Sequence, residues 1–176
     1  MISYADNADN PMPHLALVAE KFDVNKQPTL VRIHSECMTG DLFGSKRCDC
    51  GEQLDIAMQQ AAERGGILIY LRQEGRGIGL TNKLKAYQLQ DQGFDTVEAN
   101  THLGFQVDAR QYAIAVQILE DLGIRQIELL TNNPDKIDAL DHSPVEVVKR
   151  IPIVVPAKKE NALYLHTKKT VMGHLF

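Results

Sequence analysis

The stretch GGILIYLRQEGRGIG, residues 65–79, decides the predicted fold. Its apolar run over residues 67–72 is typical of a strand that is covered on both faces of a sheet. The two glycines before this run end a helix that the spacing of apolar residues predicts over 52–64. The glycine-rich loop after the run leads into a second predicted helix, over 80–92. Strand, loop and helix in this order indicate an α/β fold.

The same alternation continues along the rest of the chain. The pattern predicts further strands and helices, which are strands over 14–19, 29–34 and 126–131, a helix over 109–122 and an extended segment over 145–155. We therefore predict a mixed sheet that is flanked by helices and carries a small N-terminal β lobe.

The length of 176 residues is that of one domain. We predict a single domain over residues 14–176, which follows a loose polar arm over residues 1–13. The last twenty residues have no clear pattern, so we assign no element to them.

The charge balance limits the kinds of partner. Nineteen Lys and Arg residues against 23 Asp and Glu residues give a net charge of −4. This balance argues against a nucleic-acid partner, although it is compatible with a local phosphate pocket. No apolar stretch is long enough to span a membrane, and the N-terminus lacks the apolar region of a secretory signal. We expect a cytoplasmic enzyme or binding module.

All three cysteines lie close together in the sequence, as Cys37, Cys48 and Cys50. Charged residues interleave them, which argues against three scattered core residues. An odd number of cysteines in a chain without an export signal also argues against disulfides. Three thiolates match a catalytic zinc site, where three protein ligands leave one position for water. Such a site lowers the pKa of the water to about 7.

Two alternatives for this cluster stay open on the sequence alone. His34 as a fourth ligand would make the zinc structural and the protein a non-catalytic nucleotide-binding module. The H-x-E formed by His34 and Glu36 also resembles half of the signature of the zinc nucleobase deaminases. The P-C-x-x-C half of that signature is absent.

Two strand-to-helix junctions are suited to an anion. In residues 73–79, alternating glycines let backbone N–H groups approach an anion, and Arg76 suits a bidentate phosphate contact. Residues 131–136 combine a hydroxyl, a proline at the first helical position and Lys136 one turn later. Each junction alone is equally typical of an ordinary turn or cap. Two of them in one small acidic domain indicate a polyphosphate ligand.

The start of the helix predicted over 109–122 has two interpretations. Asp108 as N-cap and Gln111 at the third position would form a variant of the capping box. Alternatively, Asp108 is a base and Arg110 contacts an anion. Tyr87, on the helix predicted over 80–92, is by spacing alone a half-buried aromatic residue.

Together these residues resemble GTP cyclohydrolase II, the zinc enzyme that begins riboflavin synthesis. The matching segments are RIHSECMTGDLFGSKRCDCG (32–51), RQEGRGIGL (72–80), DQGFDTVEAN (91–100), LGFQVDAR (103–110), LLTNNPDK (129–136) and MGHL (172–175). HSEC-x10-CDCG followed by RQEGRG is far more specific than any single motif above.

The resemblance implies hydrolysis of GTP to formate, pyrophosphate and 2,5-diamino-6-(5-phosphoribosylamino)pyrimidin-4-one. It implies that Cys37, Cys48 and Cys50 hold one Zn²⁺ per subunit, which activates water for attack on C8 of guanine. Mg²⁺ is expected to accompany the triphosphate. The GTP-binding residues that it implies are Arg32, Ile33, His34, Ser35, Glu36, Gln53, Glu74, Gly75, Arg76, Thr96, Thr131 and Lys136.

The resemblance also implies catalytic roles. Asp108 matches the proton acceptor of the family, Arg110 its proposed nucleophile toward the α-phosphate, and Tyr87 a tyrosine that assists ring opening. A guanidinium is a poor nucleophile unless it loses a proton, so stabilising charge on the phosphoryl group is the easier role for Arg110.

The resemblance also has implications for the oligomeric state, and the N-terminus departs from the family. The resemblance implies a homodimer. Because the segments that match do not include the synthase domain of fused relatives, the resemblance implies only the cyclohydrolase activity. The family usually has an extra strand before the segment at residue 14. Residues 1–13 do not resemble that strand, so we expect a shortened N-terminus.

Overall fold

One six-stranded mixed sheet organises the computed structural model, which describes residues 1–5 and 12–175. The strands are β1 (Ile2–Tyr4), β2 (His14–Val18), β3 (Thr29–Ser35), β4 (Ile67–Leu71), β5 (Gln126–Leu130) and β6 (Glu146–Ile151). The helices are α1 (Met38–Asp41), α2 (Cys50–Arg64), α3 (Gly79–Gln90), α4 (Thr96–His102), α5 (Ala113–Asp121), α6 (Pro134–Asp141) and α7 (Ala162–Thr170), with a 3₁₀ turn at Glu74–Gly77.

The strand order is β1-β2-β4-β3-β5-β6. β3 pairs in parallel with β4 and β5, and β5 pairs in parallel with β6. β1 and β2 join β4 in antiparallel orientation and form the small N-terminal lobe. The prediction of a mixed α/β sheet with such a lobe is confirmed.

The apolar run at β4 is buried on both faces, as the sequence predicts. Ile67 and Ile69 point into a core that packs under α5 and α6, whereas Leu68 belongs to a second core under α2. A strand with helices on both sides needs apolar residues at successive positions rather than at alternate ones. This requirement explains why β4 reads as a continuous apolar run.

The parallel strands β3, β4 and β5 end at the same edge of the sheet. The segments that leave this edge are the cysteine-containing loop after Ser35, the glycine-rich turn after Leu71 and the junction at Thr131. In α/β sheets, ligands bind outside the carboxyl ends of the strands. The fold therefore brings together the three segments that the sequence singles out.

The N-terminus differs from the loose arm predicted over residues 1–13 and from the expectation that no strand precedes residue 14. Residues 2–4 form strand β1, which pairs with β2, and the Tyr4 hydroxyl donates to Asp121 at 2.7 Å. Because β1 is short, mostly exposed and held by backbone pairing, its sequence carries no apolar pattern. The part of the predicted arm over residues 6–11 lies outside the described residues.

Four helices differ from the prediction, and one of them is the short α1, which the sequence pattern does not predict. α5 begins at Ala113 with Tyr112 as N-cap, so the interpretation of Asp108 as a capping residue is wrong. α4 was not predicted, although Asp95 and Glu98 form a full capping box at its start. α7 occupies the C-terminal stretch to which the sequence assigns no element. Among the helices of the described residues, none has the length and apolar character needed to cross a bilayer.

Candidate active site

An open cavity lies at the edge of the sheet where β3, β4 and β5 end. Its walls come from the loop after β3, the turn after β4, the junction after β5, and parts of α2, α3, α4 and α7. A concave site with walls from several elements is the usual form of a small-molecule site in a protein.

The three cysteines meet in the wall of this cavity. Cys37 lies after β3, Cys48 in the following loop and Cys50 at the start of α2. Their sulfur atoms all lie within 4.8 Å of one another, and none of the three forms a disulfide. Of the His, Cys, Asp and Glu side chains that the structure describes, only these three form a group suited to a metal ion.

The chemistry of this group fits a zinc ion. Hydrogen bonds from Cys48 and Cys50 lower the pKa of Cys37, while the hydrogen bond to Cys37 raises the pKa of Cys48 to about 11. Three thiolates this close repel one another unless a cation compensates their charge, and soft sulfur ligands favour zinc. The donor set of three cysteines, buried or nearly so, therefore fits Zn²⁺.

His34 does not belong to the sulfur group. Its Nε2 lies 3.1 Å from both carboxylate oxygens of Asp41, and its ring stacks on Tyr70 at 5.5 Å between centroids. The same carboxylate accepts hydrogen bonds from the backbone N–H of Cys37 and from the Tyr70 hydroxyl, both at 2.9 Å. The structure therefore gives no support to His34 as a fourth ligand or to a deaminase-like H-x-E site.

Gly40 packs directly against the sulfur atoms. A Cβ atom at this position would lie 3.0 Å from Cys48 Sγ and 3.1 Å from Cys37 Sγ. Contacts this short force the sulfurs to shift, so glycine is the residue that lets α1 approach the cluster. The backbone of α1 at Gly40 thus leaves the space that the three thiols occupy.

We expect Gly40→Ala to lower the zinc affinity of the protein by about tenfold, the effect typical of changes next to metal ligands. The measurement is competition for zinc against a chelator of known affinity. Lys46→Ala, an exposed change in the same loop, is the control and should keep the wild-type affinity. Equal zinc affinity of Gly40→Ala and wild type would contradict the packing argument.

The glycine-rich turn is tied to the cluster through Glu74. This carboxylate accepts hydrogen bonds from the backbone N–H of Met38 at 2.6 Å and from Lys83 Nζ at 2.8 Å. Lys83 Nζ also lies 3.0 Å from Cys37 Sγ. A charged ammonium between a carboxylate and a sulfur stabilises negative charge on both.

Arg76 places an unpaired cation in the same cavity. It is the one residue other than glycine with a positive φ, 61°, among the described residues, a conformation that costs of order 1 kcal/mol or more. Both terminal nitrogens of its guanidinium are buried and have no hydrogen-bond partner among the described residues. Gly77, at φ 91°, approaches Ala109 so closely that a Cβ would lie 3.2 Å from its carbonyl oxygen. The turn therefore holds Arg76 in a conformation that suits an anionic ligand.

Asp108 and Arg110 form a close ion pair instead of a helix cap. Arg110 Nε donates to the two carboxylate oxygens at 2.8 and 3.0 Å, and the backbone N–H of Arg110 donates to Asp108 at 3.0 Å. Burial alone would raise the pKa of Asp108, but the hydrogen bonds and charge of Arg110 lower it overall. Burial alone would lower the pKa of Arg110, but Asp108 raises it above its usual value. Both groups are therefore charged at neutral pH.

The junction after β5 supplies a buried basic side chain, Lys136. Asn133 caps α6 by accepting the N–H of Asp135 at 3.1 Å, and Pro134 stands at the first helical position, as predicted. Lys136 Nζ donates to the backbone carbonyl of Ile33 at 2.7 Å rather than to a carboxylate. Burial lowers the pKa of Lys136, and the nearby charge of Arg32 lowers it further. Basic groups are thus crowded together here, and an anionic ligand would stabilise their charged forms.

A hydrogen-bonded chain links the cation of β3 to the cysteine loop. Arg32 donates to the carbonyl of Leu130 at 2.9 Å and to Gln53 Oε1 at 2.7 Å. Gln53 donates in turn to Asp49, which lies between two of the cysteines. The Tyr87 hydroxyl lies 3.3 Å from Thr39 Oγ1, which is itself 3.7 Å from Cys37 Sγ.

The structure brings nearly all of the candidate residues together. All of them line the cavity except Ile33, which contributes its backbone carbonyl, and Asp108, which reaches the cavity through Arg110. The sequence reasoning missed Lys83, Tyr164 and Lys168, which also line it. Lys83 carries no motif of its own, and the other two lie on α7, which shows no clear pattern in the sequence.

Comparison with known proteins agrees with this geometry. The family model described as GTP cyclohydrolase II matches residues 1–152. The "Riboflavin biosynthesis protein RibBA" of Bacillus cereus (strain G9842) is 55% identical over 175 residues, which are 99% of this chain and 44% of that protein. The protein of the same name from Bacillus subtilis (strain 168) is 57% identical over 163 residues, 92% of this chain and 41% of its own length. The chain thus spans less than half the length of these relatives.

Proposed function

The chain belongs to the GTP cyclohydrolase II family, and we propose that it hydrolyses GTP to formate, pyrophosphate and 2,5-diamino-6-(5-phosphoribosylamino)pyrimidin-4-one, the first step of riboflavin biosynthesis. The observation that carries this proposal is the meeting of two features in one cavity. A group of three cysteines fits zinc, and basic side chains that include Arg76 and Lys136 line the same space. A nucleoside triphosphate is a substrate that both features suit.

We propose that Cys37, Cys48 and Cys50 hold one zinc ion per chain. The ion would supply Lewis acidity that activates water for attack on C8 of guanine. Tyr87 lies beside this centre, and burial raises the pKa of its phenol. The phenol therefore keeps its proton at neutral pH and can donate it to a ring nitrogen during opening.

The cations suit the triphosphate. Arg76 offers two unsatisfied guanidinium nitrogens, which match the bidentate contact between arginine and phosphate. Lys136 of α6 and Arg32 of β3 add basic groups to the lining, and Thr131 and Thr96 add hydroxyl groups. We propose that Mg²⁺ accompanies the phosphates and neutralises part of their charge.

We propose that Arg110 stabilises negative charge on the α-phosphate during release of pyrophosphate. Asp108 raises the pKa of Arg110, so the guanidinium stays protonated and is a poor nucleophile. Asp108 orients this cation through two hydrogen bonds and is itself the proposed proton acceptor. A buried cation aimed at a transferring phosphoryl group is a strong source of transition-state stabilisation.

The remaining parts of the proposal concern the oligomeric state, cellular location and partners of the enzyme. We propose that it acts as a homodimer in the cytoplasm, on a small-molecule substrate and without a nucleic-acid partner. The net charge of −4 supports the last point, since a duplex-binding surface requires an excess of Lys and Arg.

The test is product analysis after incubation of the zinc-loaded protein with GTP and Mg²⁺. We expect formate, pyrophosphate and the loss of the guanine absorption spectrum, and no formate when ATP replaces GTP. Binding of GTP without formate release would favour a nucleotide-binding module instead. Release of ammonia without formate would favour a deaminase.

A further inference from the structure

Helix α7 follows the residues that the family model matches, yet it forms part of the cavity wall. Two of its side chains, Tyr164 and Lys168, line the cavity, and they are one helical turn apart. Neither residue belongs to the motifs on which the proposed function rests. The placement raises the question of what these side chains do there.

The ring of Tyr164 contacts two cations. The guanidinium carbon of Arg76 lies 5.9 Å from the ring centroid, and Lys168 Nζ lies 4.7 Å from it. An aromatic face attracts a cation within about 6 Å of its centroid. Tyr164 therefore connects Lys168 of α7 to the unpaired Arg76 of the glycine-rich turn.

Lys168 is only partly satisfied by its partner in the protein. Its side chain is 11% exposed, and its Nζ donates to Asp49 Oδ1 at 2.8 Å. Asp49 is its one acceptor among the described residues, so two of the three N–H donors of the ammonium remain for a ligand in the cavity. The charge of Lys168 also acts on Lys136, whose pKa is lowered first by burial and then by Arg32, Arg110 and Lys168. Lys168 thus belongs to the same cluster of positive charges.

We propose that Lys168 is a phosphate-binding residue of this cavity and that Tyr164 is a positioning residue which holds Lys168 and Arg76 side by side. The inference rests on the proposed function for the identity of the ligand, a nucleoside triphosphate. It extends the phosphate site from the turn after β4 to α7. Asp49 and Tyr164 then orient the lysine before the ligand arrives.

The first test compares two ligands that share the nucleoside but differ in the phosphates. These are guanosine and a GTP analogue with a methylene group between the α and β phosphorus atoms, which the enzyme cannot cleave there. Their dissociation constants are measured by titration calorimetry with the zinc-loaded protein. For Lys168→Met we expect about ten- to hundredfold weaker binding of the analogue, as for the loss of one charge-assisted hydrogen bond. Binding of guanosine should change less than about twofold.

Two further variants serve as controls. Lys169→Met removes the neighbouring exposed lysine and should bind both ligands like the wild type. Lys168→Arg keeps the charge and should retain most of the affinity for the analogue. Wild-type binding of the analogue by Lys168→Met would overturn the proposal. An equal loss of both ligands would also overturn it, because Lys168 would then only hold α7 in place.

Tyr164 is tested by a matched pair of variants. Tyr164→Phe keeps the aromatic face and should bind the analogue nearly as well as the wild type. Tyr164→Leu removes the aromatic face and should weaken binding of the analogue about tenfold, while guanosine binding is kept. Equal affinity of the two variants for the analogue would contradict the positioning role. These measurements stand apart from the proposed activity, since a protein that releases no formate can still show the loss at Lys168.

Discussion

Replacement of Cys50 with Ser is expected to remove zinc from the protein and to lower formate release by at least about a thousandfold. The substitution keeps the size of the side chain but exchanges a soft thiolate for a hydroxyl that stays protonated at neutral pH. Two cysteines alone do not make a tight site, and the group that the structure describes has no fourth protein ligand to compensate. Zinc per chain is measured by mass spectrometry of the metal and formate by an enzymatic assay.

The control for this variant lies on the same helix. Met58→Ser also removes a sulfur from α2, but Met58 is 45% exposed and lies outside the cavity wall. It should retain one zinc per chain and wild-type turnover. Full zinc content and normal formate release by Cys50→Ser would show that the cluster does not hold the catalytic metal.

Arg110→Ala is expected to lower pyrophosphate release by about a thousandfold or more, the range found for arginines that stabilise transferring phosphoryl groups. The dissociation constant of the uncleavable GTP analogue should change far less, because the cation acts mainly in the transition state. Removal of the guanidinium also leaves Asp108 without the partner that lowers its pKa. Single-turnover kinetics give the rate, and titration gives the affinity.

Two further variants sharpen this result. Arg110→Lys keeps a positive charge but loses the two-pronged pairing with Asp108, so we expect an intermediate rate. Arg125→Ala removes an exposed arginine outside the cavity and should leave the rate unchanged. Unchanged pyrophosphate release by Arg110→Ala would exclude the residue from the mechanism.

Strand β4, the turn after it and the cysteine cluster could be predicted because residues close together in the sequence determine each of them. A strand buried on both faces must be apolar at successive positions, which marks β4, and the glycines after it mark a tight turn. The cysteine cluster follows from three cysteines among charged residues. Each of these signals lies within about twenty residues of chain.

The remaining parts depend on contacts between distant segments. The interpretation of Asp108 as an N-cap failed because its partner is Arg110 in the loop, and α5 begins only at Ala113. Strand β1 is held by pairing with β2 and by Tyr4 rather than by its own pattern. The role of Lys168 depends on Asp49, over a hundred positions earlier in the chain. No pattern of neighbouring residues predicts contacts between segments this far apart in the chain.

The three contacts of the Asp41 carboxylate limit where the cavity can be redesigned. This one carboxylate contacts the imidazole of His34, the hydroxyl of Tyr70 and the backbone of Cys37. Any change that relocates the imidazole therefore also disturbs the backbone next to Cys37. Engineering of the cavity should begin at lining residues independent of this anchor, such as Thr96 at the start of α4.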